Sequence, residues 1–97
     1  MFRHVVLFRF KDGSDPNTVN AALDGLLDLP KQIDEIRAYT VGRDVGLAEG
    51  NFDAGIVADF DDQAGFVTYR DHPLHVEHAK NRLGPLIADR AAVQFEL

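Results

Sequence analysis

Apolar residues recur at every second position near the amino terminus, which is the period that a β-strand produces. One face of the segment Phe2 to Phe10 carries a mostly apolar set: Phe2, His4, Val6, Phe8 and Phe10. The opposite face carries Arg3, Val5, Leu7 and Arg9. Since both faces hold apolar side chains, the pattern predicts a central strand that is covered on both sides.

Three later segments predict three more strands: the first follows Ile33 and is stopped by Gly42, and the other two alternate in the same way as the amino-terminal strand. They run from Ile36 to Arg43, from Phe52 to Phe60, and from Ala91 to Leu97. In the last segment, apolar Val93 and Phe95 alternate with polar Gln94 and Glu96.

Between these strands the apolar spacing becomes helical. Ser14 or Asp15 is a suitable N-cap and Pro16 a suitable first residue for a helix that Pro30 is expected to end. Asp61 or Asp62 is expected to cap a second helix. That helix breaks at His72, because a residue before proline avoids the α-helical region, and its second half runs from Pro73 to about Leu83.

The predicted order is therefore βαββαβ with a split second helix, a ferredoxin-like α+β fold in one domain spanning residues 1–97. Two helices cover one face of a four-stranded antiparallel sheet, and an uncovered apolar face favours aggregation. We expect a second copy to cover it, sheet to sheet, forming a dimeric α+β barrel. Either the His4 face or the Val5 face could serve, and a charge such as Val6→Asp is expected to weaken that interface.

The amino-acid composition excludes some classes of partner and some kinds of site. The formal charge of −6 and the lack of clustered Lys and Arg argue against nucleic acid. There is no cysteine, so thiolate metal sites and disulfides are excluded. Arg9 interrupts the first apolar run, and no stretch has the length of a membrane helix or a signal peptide, so we expect a cytoplasmic protein without a membrane partner.

The segment "YRDHPLHVEH", residues 69 to 78, holds three of the four histidines. His75 could act as a general base and Tyr69 could donate a hydrogen bond to a carbonyl oxygen, a pairing suited to enolate formation without a cofactor. The break at Pro73 could bring both into one pocket; alternatively, both residues are structural. A metal site at His72, His75 and His78 is not expected, because the spacing spreads the rings around the helix, and His78 is expected to face solvent.

The segments "HVVLFRFKD", "LPKQIDEIRAYTVGRDV" and "FVTYRDHPLHVEH" resemble the stress-responsive A/B barrel (Dabb) domain family. The resemblance implies a dimeric α+β barrel. One plant branch of the family cyclises linear polyketides through a tyrosine and a histidine, which by position match Tyr69 and His75, with His4 matching the histidine of the first strand.

Three functions remain open from the sequence. The first is a cofactor-free enzyme acting on a carbonyl ligand through Tyr69 and His75, with His4, Phe8 and His72 contacting the substrate. The second is a stress-responsive dimer that binds a hydrophobic ligand or serves a structural role without turnover. The third is a haem-binding or oxygen-activating protein, disfavoured because 97 residues leave little room for a porphyrin.

Overall fold

The structure, a computed structural model, describes residues 1–97. Four strands are present: β1 (Phe2–Phe10), β2 (Ile36–Arg43), β3 (Ala54–Phe60) and β4 (Ile87–Glu96). Four α-helices connect them: α1 (Pro16–Leu26), α2 (Leu29–Gln32), α3 (Gln63–Asp71) and α4 (Pro73–His78). The ferredoxin-like α+β fold with a split second helix is confirmed.

The sheet is antiparallel with the strand order β2-β3-β1-β4. Its inner face packs on the helices, and β1 contributes His4, Val6 and Phe8 to that buried layer. Val6 is only 3% exposed, so the expectation that Val6→Asp would charge a dimer interface was wrong. Val6 belongs to the core, because the helices cover its face of the sheet.

The outer face of the sheet is the apolar surface left uncovered. Val5 pairs in register with Val57 on one side and with Val93 on the other, so three valines form a row across the sheet. Leu7 and Phe95 lie on the same face in the two neighbouring rows and are 38% and 42% exposed.

Several element boundaries differ from the sequence prediction. β3 begins at Ala54 rather than Phe52, and β4 runs from Ile87 to Glu96 rather than from Ala91, because its pairing with β1 extends to Phe10. Pro30 ends no helix; it lies in the first turn of the short α2, where its missing N–H has no intrahelical partner to lose. After α4 the chain continues as a π-helical turn, Ala79–Leu83, and a 3₁₀ turn, Gly84–Leu86, before β4 begins. No helix is long and apolar enough to span a membrane.

Candidate functional site

A cavity of about 320 Å³ lies between the inner face of the sheet and the helices. Eight of its thirteen lining residues are hydrophobic. The sheet contributes His4, Val6, Phe8, Ile56, Ile87 and Arg90; the helical segments contribute Leu26, Tyr69, His75, His78, Ala79, Leu83 and Gly84. The cavity therefore collects His4, Phe8, Tyr69 and His75 from the predicted set, but not His72.

The break between α3 and α4 brings Tyr69 and His75 together. His72 has an extended backbone, and its Nδ1 accepts a hydrogen bond from the N–H of Leu74, so this side chain caps α4. The chain turns at this point, and the ring centroids of Tyr69 and His75 lie 4.4 Å apart. A continuous helix would separate two residues six positions apart by about 120° around its axis.

A backbone contact fixes the tautomer of His75. Its Nδ1 lies 2.9 Å from the carbonyl oxygen of Arg70, and a carbonyl only accepts, so Nδ1 carries the proton. In the neutral ring Nε2 is then an unprotonated acceptor. Burial lowers the pKa of His75 below 6.5, so the ring is neutral at pH 7 and has a lone pair available for a proton.

Tyr69 is 2% exposed, and its hydroxyl lies 2.9 Å from that of Tyr39 on β2. Burial raises the pKa of Tyr69, and the hydrogen bond with Tyr39 partly offsets this rise. Burial raises the pKa of Tyr39 further still. Both hydroxyls are therefore protonated at neutral pH, and one of them donates to the other, so only the accepting hydroxyl has its proton available to a ligand.

His4 has a partner on the neighbouring strand. The side-chain amide of Gln94 donates to Nδ1 of His4 over 2.8 Å, so Nε2 of His4 carries the proton. Burial, assisted by the positive charge of Arg90 and by His75, lowers the pKa of His4 to about 4. His4 and His75 are thus both neutral at pH 7, with opposite tautomers.

His78 was expected to face solvent, and this was wrong. It is 4% exposed, and its Nε2 donates to the carbonyl oxygen of Ala22 in α1 over 2.9 Å. The three histidines of the segment thus have three different partners. No group of three His, Cys, Asp or Glu side chains in the chain converges in a way that could hold a metal ion.

The cavity wall after α4 depends on a glycine. Gly84 donates its backbone N–H to the carbonyl oxygen of Ala79, which closes the π-helical turn. A Cβ at position 84 would lie 2.4 Å from that oxygen. Short π-helical turns occur often at functional sites, and this one forms part of the cavity wall.

Sequence reasoning missed three residues of the site: Tyr39, Arg90 and Gln94. The alternation in β4 was correct, but Gln94 lies on the inner face because it pairs with His4 in register. β4 is an exposed edge strand, from which Arg90 lines the cavity and Gln94 contacts His4. Their position depends on strand pairing, which a single sequence does not reveal.

The amino-acid sequence is similar to those of one known protein family. The profile of the stress-responsive A/B barrel domain (Dabb) matches residues 2–97. The Arabidopsis thaliana stress-response A/B barrel domain-containing protein HS1 is 32% identical over 88 residues, covering 87% of this chain and 79% of that protein.

Two solved structures share the fold over nearly all of the chain. A dimeric ferredoxin-like protein of unknown function from Thermobifida fusca is 44% identical with a TM-score of 0.90, covering 99% of this chain and 90% of that chain. A hydroxynitrile lyase from Passiflora edulis has a TM-score of 0.88 and 19% identity, covering 99% and 92%. At 19% identity the likeness concerns the fold alone.

Proposed function

The chain belongs to the stress-responsive A/B barrel domain family, and from this membership and the cavity geometry we propose a cofactor-free acid–base enzyme acting on a small carbonyl compound. His75 is the general base and Tyr69 the hydrogen-bond donor to the carbonyl oxygen. The observation that carries the proposal is the bond from His75 Nδ1 to the Arg70 carbonyl, which leaves Nε2 as the unprotonated nitrogen.

The proposed step is proton removal from the carbon next to the carbonyl. Nε2 of His75 takes the proton, the C–H electron pair forms the enolate C=C bond, and negative charge develops on the oxygen. A hydroxyl donor at that oxygen stabilises this charge most effectively where water is largely excluded. The enolate carbon can then form a C–C bond to a second carbonyl of the same molecule, as in an aldol cyclisation. The π electrons of that carbonyl move to its oxygen, and the resulting alkoxide takes the proton back from Nε2 of His75.

The remaining cavity residues support ligand binding. Phe8 and the other apolar residues of the wall contact a carbon skeleton, while Nε2–H of His4 is a donor for a second oxygen. His72 caps α4, so its predicted role in substrate contact is withdrawn. A hydroxynitrile lyase has the same fold, so this fold can hold an active site; the analogy extends to the fold alone.

The proposal includes a homodimer formed through the outer sheet face. Related structures are described as dimeric. The row of Val5, Val57 and Val93 is the exposed apolar surface that a second sheet would cover. The cavity lies on the opposite face of the sheet, so sheet-to-sheet dimerisation would leave it accessible.

A specific observation favours the alternative of a binding protein without turnover. The hydroxyl of Tyr69 is already hydrogen-bonded to Tyr39, as expected of a structural tyrosine. In this alternative the cavity binds a hydrophobic carbonyl ligand, and no proton is transferred.

Solvent deuterium exchange at the methyl group of aryl methyl ketones, followed by NMR, separates the two functions. We expect the wild-type protein to accelerate exchange, and Tyr69→Phe and His75→Gln each to reduce the acceleration at least tenfold. The rate should fall as the pH decreases through the lowered pKa of His75, because only the neutral ring accepts a proton.

The matched control is His72→Asn, which retains an N-cap acceptor outside the cavity and should keep the full rate. Ligand-induced shifts of the cavity resonances without any exchange would establish the binding protein instead. Full exchange activity in folded His75→Gln would contradict the assigned base.

A further inference from the structure

Arg90 is the one arginine or lysine in the cavity wall, so it carries the positive charge of that wall at neutral pH. It lies on β4 opposite Phe8 in the register, so the two residues share the inner face of the sheet. Both line the cavity, and the thirteen lining residues include no aspartate or glutamate. A chain with a formal charge of −6 thus encloses a cavity whose wall is cationic.

The guanidinium of Arg90 has no carboxylate partner. The ion pairs of the chain involve Arg3, Lys31, Arg37 and Arg70. The neighbouring carboxylate, Asp89, accepts from the backbone N–H of Arg90 over 2.9 Å and forms no ion pair with its side chain. An exposed arginine that lines the cavity without an acidic neighbour is available to a ligand.

The positive charge of Arg90 also affects the pKa values of three polar residues of the site. It lowers the pKa of His4, of Tyr69 and of His75, in each case as a smaller contribution than burial. A positive charge close to three polar groups of one cavity is expected to attract an anion into the same space.

We propose that Arg90 is the anion-binding residue of the cavity and that the ligand is a small oxo acid carrying a carboxylate and a ketone. Guanidinium binds carboxylate through two parallel N–H···O bonds, a geometry that lysine does not reproduce. The placement of the ketone at Tyr69 and His75 rests on the proposed function, whereas the carboxylate site does not depend on any reaction.

The size and lining of the cavity restrict the carbon skeleton. About 320 Å³ is at the lower end of the range for small-molecule sites, roughly 300–1,000 Å³. Val6, Phe8, Leu26 and Ile56 surround this space with apolar atoms. A single aromatic ring or a short aliphatic chain between the two oxygen groups satisfies these limits.

Binding of neutral and anionic probes tests the site directly. The probes are the three isomeric acetylbenzoates and the matching acetylbenzamides, which are similar in size but lack the charge, titrated into the full protein and followed by NMR. For at least one isomer we expect the acid to bind about tenfold more tightly than its amide. Arg90→Gln should abolish that preference without changing the affinity for the amide, and Arg90→Lys should retain part of it.

Arg43→Gln is the matched control, because it removes the same charge from a residue that does not line the cavity. Equal binding of acid and amide by the wild-type protein, no binding of either, or an unchanged preference in Arg90→Gln would each overturn the proposal. Preference for the acid without deuterium exchange would leave the Arg90 site standing and refute the proposed catalysis. Deuterium exchange of neutral ketones without preference for the acid would support the proposed catalysis and refute the Arg90 site.

Discussion

The hydroxyl oxygens of Tyr39 and Tyr69 lie 2.9 Å apart, joining the inner face of β2 to helix α3 beside the cavity. At this distance one hydroxyl donates its O–H to the oxygen of the other, and the proton of the accepting hydroxyl remains free. If Tyr39 donates, the proton of Tyr69 is available to a ligand, and the polarity of this bond therefore decides whether Tyr69 can assist catalysis.

Substitution of Tyr39 by phenylalanine tests that polarity. We expect Tyr39→Phe to raise the pKa of Tyr69 further, because the bond partly offsets the effect of burial. The deuterium exchange rate should fall about fivefold to tenfold, equivalent to about one neutral hydrogen bond. The chain contains two tyrosines, so ultraviolet titration of this variant reports Tyr69 alone. An unchanged rate in the folded variant would assign the bond a structural role.

The buried ring of His4 makes folding stability depend on pH. The pKa of His4 is about 4 in the folded chain and 6.5 when unperturbed, so the unfolded chain binds the proton first as the pH falls. The stabilisation is complete above pH 6.5 and is lost between about pH 6.5 and pH 4. We expect a loss of about 2 kcal/mol, allowing for solvent screening.

Urea unfolding at several pH values measures this loss, with His4→Leu as the comparison protein. Between pH 6.5 and pH 4 the variant should lose less stability than the wild type by roughly that amount. Carboxylates with lowered pKa, such as Asp59, destabilise both proteins equally on acidification and cancel in the comparison. Parallel pH profiles would show that the pKa of His4 is the same in the folded and the unfolded chain.

Substitutions at two neighbouring positions of β1 distinguish an effect on dimerisation from an effect on folding. Val5 faces the outer surface and Val6 the core, so the same change to aspartate has two different consequences. Val5→Asp should yield a folded monomer, because it places a charge in the proposed interface. Val6→Asp should unfold the chain or destabilise it by several kcal/mol, because the charge is buried without a partner.

Light scattering for molar mass and circular dichroism for folding distinguish these outcomes. A wild-type protein that is monomeric at micromolar concentration would contradict the proposed sheet-to-sheet dimer. A Val5→Asp dimer as stable as the wild type would place the interface elsewhere on the molecule.

His78 should prove structural where His75 is catalytic. The His78→Leu substitution removes the hydrogen bond to the carbonyl of Ala22, which costs about 0.5–1.5 kcal/mol. Thermal unfolding should show this loss, while the deuterium exchange rate of the folded fraction should fall far less than in His75→Gln, although His78 also lines the cavity. A large fall in that rate without any loss of stability would reassign His78 to the reaction.

The sequence by itself determined the order of the four strands, the two main helical segments and the site of the helix break. Period-two alternation defined the bounds of β1, and His72 before Pro73 interrupted the second helix because proline restricts the preceding backbone. It also identified Tyr69 and His75, since the residue types needed for acid–base chemistry were close together in the chain.

Tertiary structure decided which face of β1 is the core, what each histidine contacts, and which residues of β4 reach the cavity. Val5 and Val6 are equally apolar in the sequence, and only the packing of the helices distinguishes them. His78 is buried because α1 presents a carbonyl to it from 56 residues away. Strand pairing across more than 80 positions of the chain brings Arg90 to the cavity wall and Gln94 to His4. Contacts between distant segments depend on register and packing, which local periodicity does not encode.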